Sequence, residues 1–304
     1  MSAIRLPHSM QVFERGWLSS NNILFLGDDT VLVDSGYATH ATQTLALVEQ
    51  ALQGRALNRV INTHVHSDHC GGNAALQEAY GSRIVIPAAD AEAVREWDDD
   101  ALSFVPTGQQ CPRFMFDDTL AAGQTLTLGD MEWQALGAPG HDPHSLMLYC
   151  AREGILISAD ALWENSFGVI FPELEGESGF AEARATLEQI ASLDIRLVIP
   201  GHGAPFTDAG KALKTAFSRL DYLSAEPVRN AQNAVKVLVK FLLLERRAIP
   251  MAELPALLAS LRVVAQANRR FLHLSDTELA QWIVVQLEKS GVAQVVDGIL
   301  LNRD

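Results

Sequence analysis

One short stretch of this chain, Thr63 to Gly72, carries its densest chemistry. It reads Thr-His-Val-His-Ser-Asp-His-Cys-Gly-Gly, so three of the nine histidines in 304 residues share it with an aspartate. Imidazole together with carboxylate is the ligand mixture that borderline cations such as Zn²⁺ prefer. The stretch therefore predicts a metal site formed by His64, His66, Asp68 and His69.

The elements on either side of this stretch predict how its ligands are positioned. The apolar run Arg59–Asn62 is typical of a buried strand, and the glycines at the other end precede a helix start. On extended backbone, His64 and His66 point to the same side and can reach one metal. Where the chain turns into the helix, Asp68 and His69 can be directed toward a second metal.

Three further motifs each follow an apolar, strand-like run, so each is expected at a strand end where a rigid sheet can hold a ligand. They are Pro139-Gly140-His141, Ser158-Ala159-Asp160 and Pro200-Gly201-His202. An earlier run, Val31–Val33, is followed by Asp34.

The order of these motifs resembles the signature of the metallo-β-lactamase superfamily. The His-x-His-x-Asp-His pattern is followed by a third histidine motif, an aspartate loop and a final histidine loop, over roughly residues 10–205. The resemblance implies the α/β class, with an αββα sandwich as the catalytic domain. It also implies that Asp34 supports the metal loop from behind the ligands.

Carried over residue by residue, the resemblance implies two divalent metal ions. Zn²⁺ is the expected metal, with iron or manganese as alternatives. Such ions lie about 3.5–4 Å apart and can hold a hydroxide at neutral pH, which would be the nucleophile, so Ser67 and Cys70 need no catalytic role. Asp68 and Asp160 would be catalytic as well as ligands. The implied ligand sets are His64, His66 and His141 for one metal, and Asp68, His69 and His202 for the other, with Asp160 bridging.

The implied activity is hydrolysis of an ester-like bond, a thioester or a lactone, in a small or medium-sized substrate. Two other activities of the fold are not expected. Flavodiiron-type reductases carry Glu where this chain has His66, and zinc β-lactamases generally lack the bridging aspartate that Asp160 would supply. A mononuclear iron persulfide dioxygenase shares much of the ligand set and remains an alternative.

Single positions also bear on the substrate. Lactonases of the fold often have a tyrosine shortly after the bridging aspartate, where this chain has Trp163, and the basic residues with which glyoxalase II binds glutathione have no recognisable counterpart. Both enzymes are therefore disfavoured. The aromatic segment Trp163–Phe171 lines either the mouth of the site or the core. His144 is interpreted as a turn residue, with a proton donor at the rim as the alternative.

Composition predicts a soluble cytoplasmic protein. There is no apolar run long enough to span a membrane and no apolar segment of a secretory signal, and three scattered cysteines fit a reducing compartment. The net charge of −14 is uneven, because residues 229–304 carry +3 and residues 1–228 carry −17. This break predicts a domain boundary between residues 228 and 229.

From residue 229 the pattern predicts three helices followed by a β-hairpin. A long helix covers Arg229–Arg247, Ile249–Leu254 is a turn into a second short helix, and Ser275 with Glu278 forms a capping box that opens the third. Asp297-Gly298 is a strong hairpin turn. Three helices and a hairpin are the order of a winged helix.

Some metallo-β-lactamase-fold proteins, among them endoribonuclease-like members, carry such a module. An endoribonuclease or phosphodiesterase is therefore an alternative, as is a regulatory protein that retains the metal site. Nucleic acid is not the expected partner, because phosphate binding needs a concentrated cationic face and the catalytic part is acidic. The module is expected instead to pack on the catalytic domain or form a homodimer, and to wall the active site.

Overall fold

The computed structural model describes residues 5–303, which form two facing β-sheets with helices on their outer sides and a mainly helical C-terminal region. The first sheet has six strands in chain order: β1 (Met10–Phe13), β2 (Asn22–Leu26), β3 (Thr30–Val33), β4 (Arg59–Ile61), β5 (Arg83–Pro87) and β6 (Asp118–Leu120). The second has five, in the order β11-β10-β9-β8-β7: β7 (Thr125–Leu128), β8 (Met131–Gly137), β9 (Leu146–Cys150), β10 (Ile155–Ala159) and β11 (Leu197–Pro200).

The helices of this part lie mostly in the connections between strands. They are α1 (Ala41–Leu52), α2 (Ser67–Cys70), α3 (Asn73–Tyr80), α4 (Ala91–Glu96), α5 (Phe104–Thr107), α6 (Pro172–Glu175), α7 (Phe180–Ala191) and α8 (Ala209–Ala225), with 3-10 turns at Ala38–His40 and Ala88–Asp90. Strands β3 to β6 are parallel, as are β10 and β11, so their carboxyl ends meet at one edge of each sheet.

Side-chain alternation explains the layers. In β3, Val31 and Val33 belong to the apolar core between the two sheets, whereas Leu32 packs on the helical side. In β10, Ile157 faces the core between the sheets and Leu156 faces the helices of the second sheet. Because successive strand residues point to opposite faces, continuous apolar runs produce strands buried on both sides. The predicted αββα sandwich is confirmed.

The C-terminal region begins with the long helix α9 (Pro227–Arg246). It continues through β12 (Ala248–Pro250), α10 (Leu254–Ser260), α11 (Arg262–Ala267), a π-helical turn (Asn268–Leu272), α12 (Asp276–Lys289), β13 (Ala293–Val296) and β14 (Ile299–Asn302). The three strands form one sheet in the order β12-β14-β13. The predicted boundary at residues 228 and 229 lies in the first turn of α9 and stays a prediction.

Two details of this region differ from the sequence prediction. The turn expected at Ile249-Pro250 is strand β12, because the backbone there pairs with Ile299 to Leu301 of β14, a partner some 50 residues away. The single short helix expected next is divided into α10 and α11 at Leu261, whose backbone is extended. The capping box of Ser275 and Glu278 is present at the start of α12.

The C-terminal region packs on the catalytic part rather than standing apart. Val169 and Leu174, from the segment after β10, belong to the same apolar cluster as Leu238 and Leu242 of α9. Asn230 of α9 also donates a hydrogen bond from Nδ2 to the carbonyl oxygen of Ile170 at 2.8 Å. Among residues 5–303, the structure has no helix of the length and apolarity needed to cross a membrane.

Candidate metal centre

The seven residues predicted as ligands converge at one edge of the two sheets. The structure brings them into three groups whose ligand atoms lie within 4.8 Å of one another: His64, His66 and His141; Asp68, His69 and His202; and His64, His69 and Asp160. The first two groups are the two predicted ligand sets, and Asp160 lies between them.

Each ligand follows a strand end. His64 and His66 lie just after β4, and Asp68 and His69 lie on α2, a short helix that the sequence analysis did not separate from the helix after it. His141 follows β8, Asp160 directly follows β10, and His202 follows β11. The positions therefore depend on strands of both sheets, which the core between the sheets holds in register.

Hydrogen bonds fix which ring nitrogen of two histidines is available for a metal. His141 Nδ1 is 2.6 Å from the carbonyl oxygen of Val169, which can only accept, so Nδ1 donates and Nε2 carries the lone pair. His69 Nδ1 donates in the same way to Asp34 Oδ2 at 2.8 Å. In both rings Nε2 then faces the other ligands.

The orphaned atoms fit a metal. Within the described part of the chain, His69 Nε2 is buried without a hydrogen-bond partner, 3.5 Å from Asp160 Oδ1 and 4.0 Å from Asp68 Oδ2. His66 Nδ1 lies 2.9 Å from His141 Nε2 and 3.1 Å from His64 Nε2. Imidazole nitrogens that point at one another in a buried site are the arrangement that a shared cation stabilises.

The pKa values of the histidines are shifted in opposite directions on the two sides of the site. Burial, together with neighbouring histidines, lowers the pKa of His64 well below its usual value and that of His141 to about 4, so both rings are neutral. Burial also lowers the pKa of His69, but the carboxylates of Asp34, Asp160 and Asp68 outweigh it and hold that pKa well above 6.5. A metal on this side would therefore displace a proton.

Asp160 is held ionised and positioned. Burial raises its pKa, but His202 and His69 outweigh burial and keep the pKa well below the usual range. Trp163 Nε1 donates to Asp160 Oδ1 at 3.2 Å. A Cβ at Gly201 would clash with the same carboxylate oxygen, so only glycine allows this approach.

Residues that the sequence analysis placed near the site have the following roles. Asp34 supports the metal loop as predicted, since it also accepts from the backbone N–H and the hydroxyl of Thr63, each at 2.9 Å. Cys70 is fully buried, with Sγ 3.6 Å from that of Cys111. His144 lies in a turn, with Nδ1 2.6 Å from Asp90 Oδ1.

A cavity of about 440 Å³ opens from the metal cluster toward α9. Trp17, Trp163 and Phe171 line it, and Trp17 stacks on His202 with ring centroids 5.4 Å apart. The aromatic segment after Asp160 therefore contributes both to the mouth of the site and to the core, because Phe167 lines the cavity and is also 94% buried in the core. Trp17 was missed, since a single exposed tryptophan far from the motifs gives no local signal.

Curated relatives resemble this chain over its catalytic part. A hydroxyacylglutathione hydrolase of Anaeromyxobacter dehalogenans is 29% identical over 195 residues, which are 63% of this chain and 65% of that protein. One from Rhizobium etli is 26% identical over 178 residues, 58% of this chain and 60% of that protein. The match thus spans less than two thirds of the length of these relatives.

Solved structures share the fold. A metallo-beta-lactamase family protein from Thermus thermophilus is 18% identical, with a TM-score of 0.58 over 97% of this chain and 99% of its own. The protein TTHA1623, crystallised in a di-iron-bound form, is 27% identical, with a TM-score of 0.55 over 68% of this chain and 98% of its own. The family model of the metallo-beta-lactamase superfamily matches residues 15–202, more than half of the chain, and this protein belongs to that superfamily.

Proposed function

We propose that this protein is a dinuclear metal-dependent hydrolase of an ester-like bond, with thioesters first and lactones second. The observation that carries the proposal is the meeting of two ligand triads on either side of Asp160, at one end of a cavity large enough for a small or medium-sized substrate. The curated relatives support the thioester, because a hydroxyacylglutathione hydrolase is a thioester hydrolase.

The chain's own residues have separable tasks in such a reaction. Two divalent ions, when bound by the two triads, would supply a nucleophile at neutral pH and polarise the substrate carbonyl. Asp160 would place negative charge next to both ligand sets, because it lies 3.5 Å from His69 Nε2 and 3.4 Å from His141 Nε2, and Asp68 would do so beside His202. Trp17, Trp163 and Phe171 would wall the reacting bond from water on one side of the cavity.

The structure argues against a protein nucleophile. Burial raises the pKa of the Cys70 thiol well above its usual value, so that side chain stays a thiol at neutral pH. The Ser67 hydroxyl donates a hydrogen bond to Gln109 rather than to a general base. We expect Ser67→Ala and Cys70→Ala to keep most turnover, and a covalent acyl group trapped on either residue would refute the proposal.

Metal content is the first experiment. Purified protein should hold about two transition-metal ions per chain by elemental analysis, with Zn²⁺ expected and iron or manganese equally compatible. His66→Ala and Asp160→Ala should lower that content, whereas His8→Ala, which removes an exposed histidine, should not. A folded native protein free of metal would exclude the hydrolase.

A substrate screen is the second experiment. Metal-loaded protein should be assayed against thioesters, lactones, phosphodiesters and β-lactams under one set of conditions. Thioester turnover lost in Asp160→Ala is the expected result. Uniform inactivity would favour the alternative of a metal-retaining binding protein, and turnover of phosphodiesters alone would favour the nuclease.

We also propose that the C-terminal region is a winged-helix-like unit, on the basis of α9 to α12 and the three-stranded sheet. Two of its arginines are engaged with the rest of the chain. Arg270 Nη1 is directed at the carbonyl oxygen of Leu174 at 3.4 Å, and Arg262 pairs with Asp100 of the catalytic part. These contacts favour packing of the C-terminal region on the rest of the chain over RNA binding. Sedimentation would measure whether the protein also forms a homodimer.

A further inference from the structure

One face of α9 forms a wall of the active-site cavity. Residues 233, 236, 237, 240, 241 and 244 all line it, a spacing of three and four that places them on one stripe about 16 Å long. Leu238 and Phe241 make part of this wall apolar, and Val263 of α11 also lines the cavity. Arg219 of α8 lies beside the stripe, since its Nη2 donates to Asn233 Oδ1 at 3.0 Å.

Among residues 5–303, neither Lys236 of this wall nor Arg219 beside it has a counter-charge. Half-buried Lys236 makes no hydrogen bond or ion pair with any residue in the described range 5–303. Arg219 has no ion pair within that range either, and its Nε is buried without a partner. Burial and the nearby Arg219 both lower the pKa of Lys236.

Lys240, the next lysine on α9, has hydrogen-bond partners for its ammonium group. Lys240 lies one turn further along α9, and its Nζ donates to the carbonyl oxygens of Val292 at 3.0 Å and Arg303 at 2.9 Å. Its ammonium is thus tied to the C-terminal segment. Among the lining residues, the acidic side chain outside the metal cluster is Glu175, and it does not pair with either of the two cations.

Partly buried like charges without a counter-ion destabilise a protein, and an entering anion removes that cost. The acidic residues of this chain outnumber the basic ones by 14, so carboxylates for pairing are not scarce. Because no carboxylate among residues 5–303 pairs with Lys236 or Arg219, this place is better suited to an anionic ligand than to a structural ion pair.

We propose that Arg219, Lys236 and Asn233 form an anion-binding subsite for a carboxylate or phosphate group of the substrate. The inference rests on the proposed function, which places the scissile bond at the metal cluster. The cluster and the subsite line the same cavity. The apolar side chains that line the same cavity fit an apolar segment of the substrate. The substrate class is then an anionic ester or thioester whose charge is separated from the reacting carbonyl.

Binding by calorimetry tests the subsite without any turnover. The probes are thioethers that cannot be hydrolysed: S-methyl glutathione with carboxylates, S-methyl coenzyme A with phosphates, and S-methyl N-acetylcysteamine without charge. An acyl-side pair, N-butyl succinamate and neutral N-butyl butyramide, tests whether the anion belongs to the acyl group instead. We expect at least one anionic probe to bind more tightly than its neutral partner.

The variants assign that preference to residues. Lys236→Gln and Arg219→Gln should each weaken the preferred anionic probe about tenfold, as expected for a charge-assisted hydrogen bond, and leave the neutral probe unchanged. Lys214→Gln is the matched control, because it removes the same charge from the exposed face of α8, away from the cavity. Thermal melting checks that each variant is folded, and Arg219→Lys should retain part of the affinity.

Three results would overturn the subsite. The first is equal binding of charged and neutral probes by the native protein, and the second is an equal loss of affinity in Lys214→Gln and Lys236→Gln. The third is a Lys236→Gln variant that binds every small probe as the native protein does and loses only affinity for single-stranded RNA. The test also separates the two proposals. Anion binding that depends on Lys236 in a protein inactive on every ester would leave the subsite standing and refute the hydrolase.

Discussion

His69 Nδ1 lies 2.8 Å from Asp34 Oδ2, so a fully buried imidazole donates to a nearly fully buried carboxylate behind the metal cluster. The bond orients the ring and leaves Nε2 directed at Asp68 and Asp160. Asp34 stands at a positive φ of 58°, a backbone conformation that Asn and Asp tolerate better than other non-glycine residues. Asp34 directly follows β3, and its hydrogen bonds to Thr63 and His69 connect the end of this strand to the metal loop.

Asp34→Asn is expected to weaken metal binding about 10- to 100-fold, the usual effect of removing such a support. Asn keeps the backbone conformation and the shape but loses the charge that holds the His69 proton. Metal affinity measured by competition with a chelator checks the expectation. Asp28→Asn, the same change at a position away from the site, is the control, and unchanged affinity in Asp34→Asn would contradict this role.

Gly201→Ala should disrupt the metal site through sterics. The new Cβ would clash with Asp160 Oδ1 and lie 3.1 Å from the Ala159 backbone, so the aspartate or the β10–β11 pairing must shift. The expected cost is about 1–3 kcal/mol of unfolding free energy, together with loss of the second metal. Denaturation and elemental analysis measure the two effects.

The matched control is Gly210→Ala in the first turn of α8. Its Cβ would meet Asp208 Oδ1 at 3.8 Å, an ordinary contact, so the variant should keep its metal and be at least as stable as the native protein. Equal behaviour of the two alanine variants would show that the close approach at Gly201 is not required.

The pair of His144 and Asp90 predicts a pH-dependent stability. The hydrogen bond that His144 Nδ1 donates to the Asp90 carboxylate raises the pKa of His144 above its usual value, and this outweighs partial burial. A raised folded-state pKa stabilises the protein below the unfolded-state pKa, about 6.5, and this stabilisation is lost as pH rises through the folded value. His144→Gln should therefore cost more stability at pH 6 than at pH 9.

Urea denaturation at the two pH values measures this difference. Since 42% of the His144 side chain is exposed, screening should keep the difference below about 1 kcal/mol. His8→Gln, at an exposed position, should show no such pattern. A larger loss at pH 9 than at pH 6 would reverse the assigned sign.

The convergence of the candidate ligands and the sandwich could be predicted from the sequence because their signals are local. Each ligand follows an apolar run, and alternation within runs such as Val31–Val33 determines which side chains enter the core. The capping box at Ser275 was predictable for the same reason, since both of its partners lie within one helical turn.

The features that were missed depend on contacts between distant segments. Trp17 reaches the site by stacking on His202, which lies after β11 at the other end of the two-sheet part. Strand β12 exists because β14 pairs with it, and Ile249-Pro250 alone looks like a turn. Arg219 and Lys236 meet only when α8 and α9 pack side by side, so neither charge stands out in the chain.

Deleting residues from 229 onward should cause aggregation. The deletion removes α9 and the rest of the cluster that covers Val169 and Leu174, both at least 95% buried, and it opens the cavity beside the metal site. An exposed apolar patch of that kind promotes association. Light scattering of the truncated protein measures it, and a monomeric, soluble truncation that keeps its metal would show that the two parts fold independently.

The final prediction separates packing from RNA binding in the C-terminal region. We expect no submicromolar affinity for single-stranded RNA at physiological salt, because the catalytic part carries a balance of −17 and Arg262 is paired with Asp100. A fluorescence titration of native protein and of a variant with Arg246, Arg247, Arg269 and Arg270 replaced by Gln measures this. Tight, salt-sensitive binding that the variant loses would make the endoribonuclease the leading function, since phosphate contacts account for such a salt dependence.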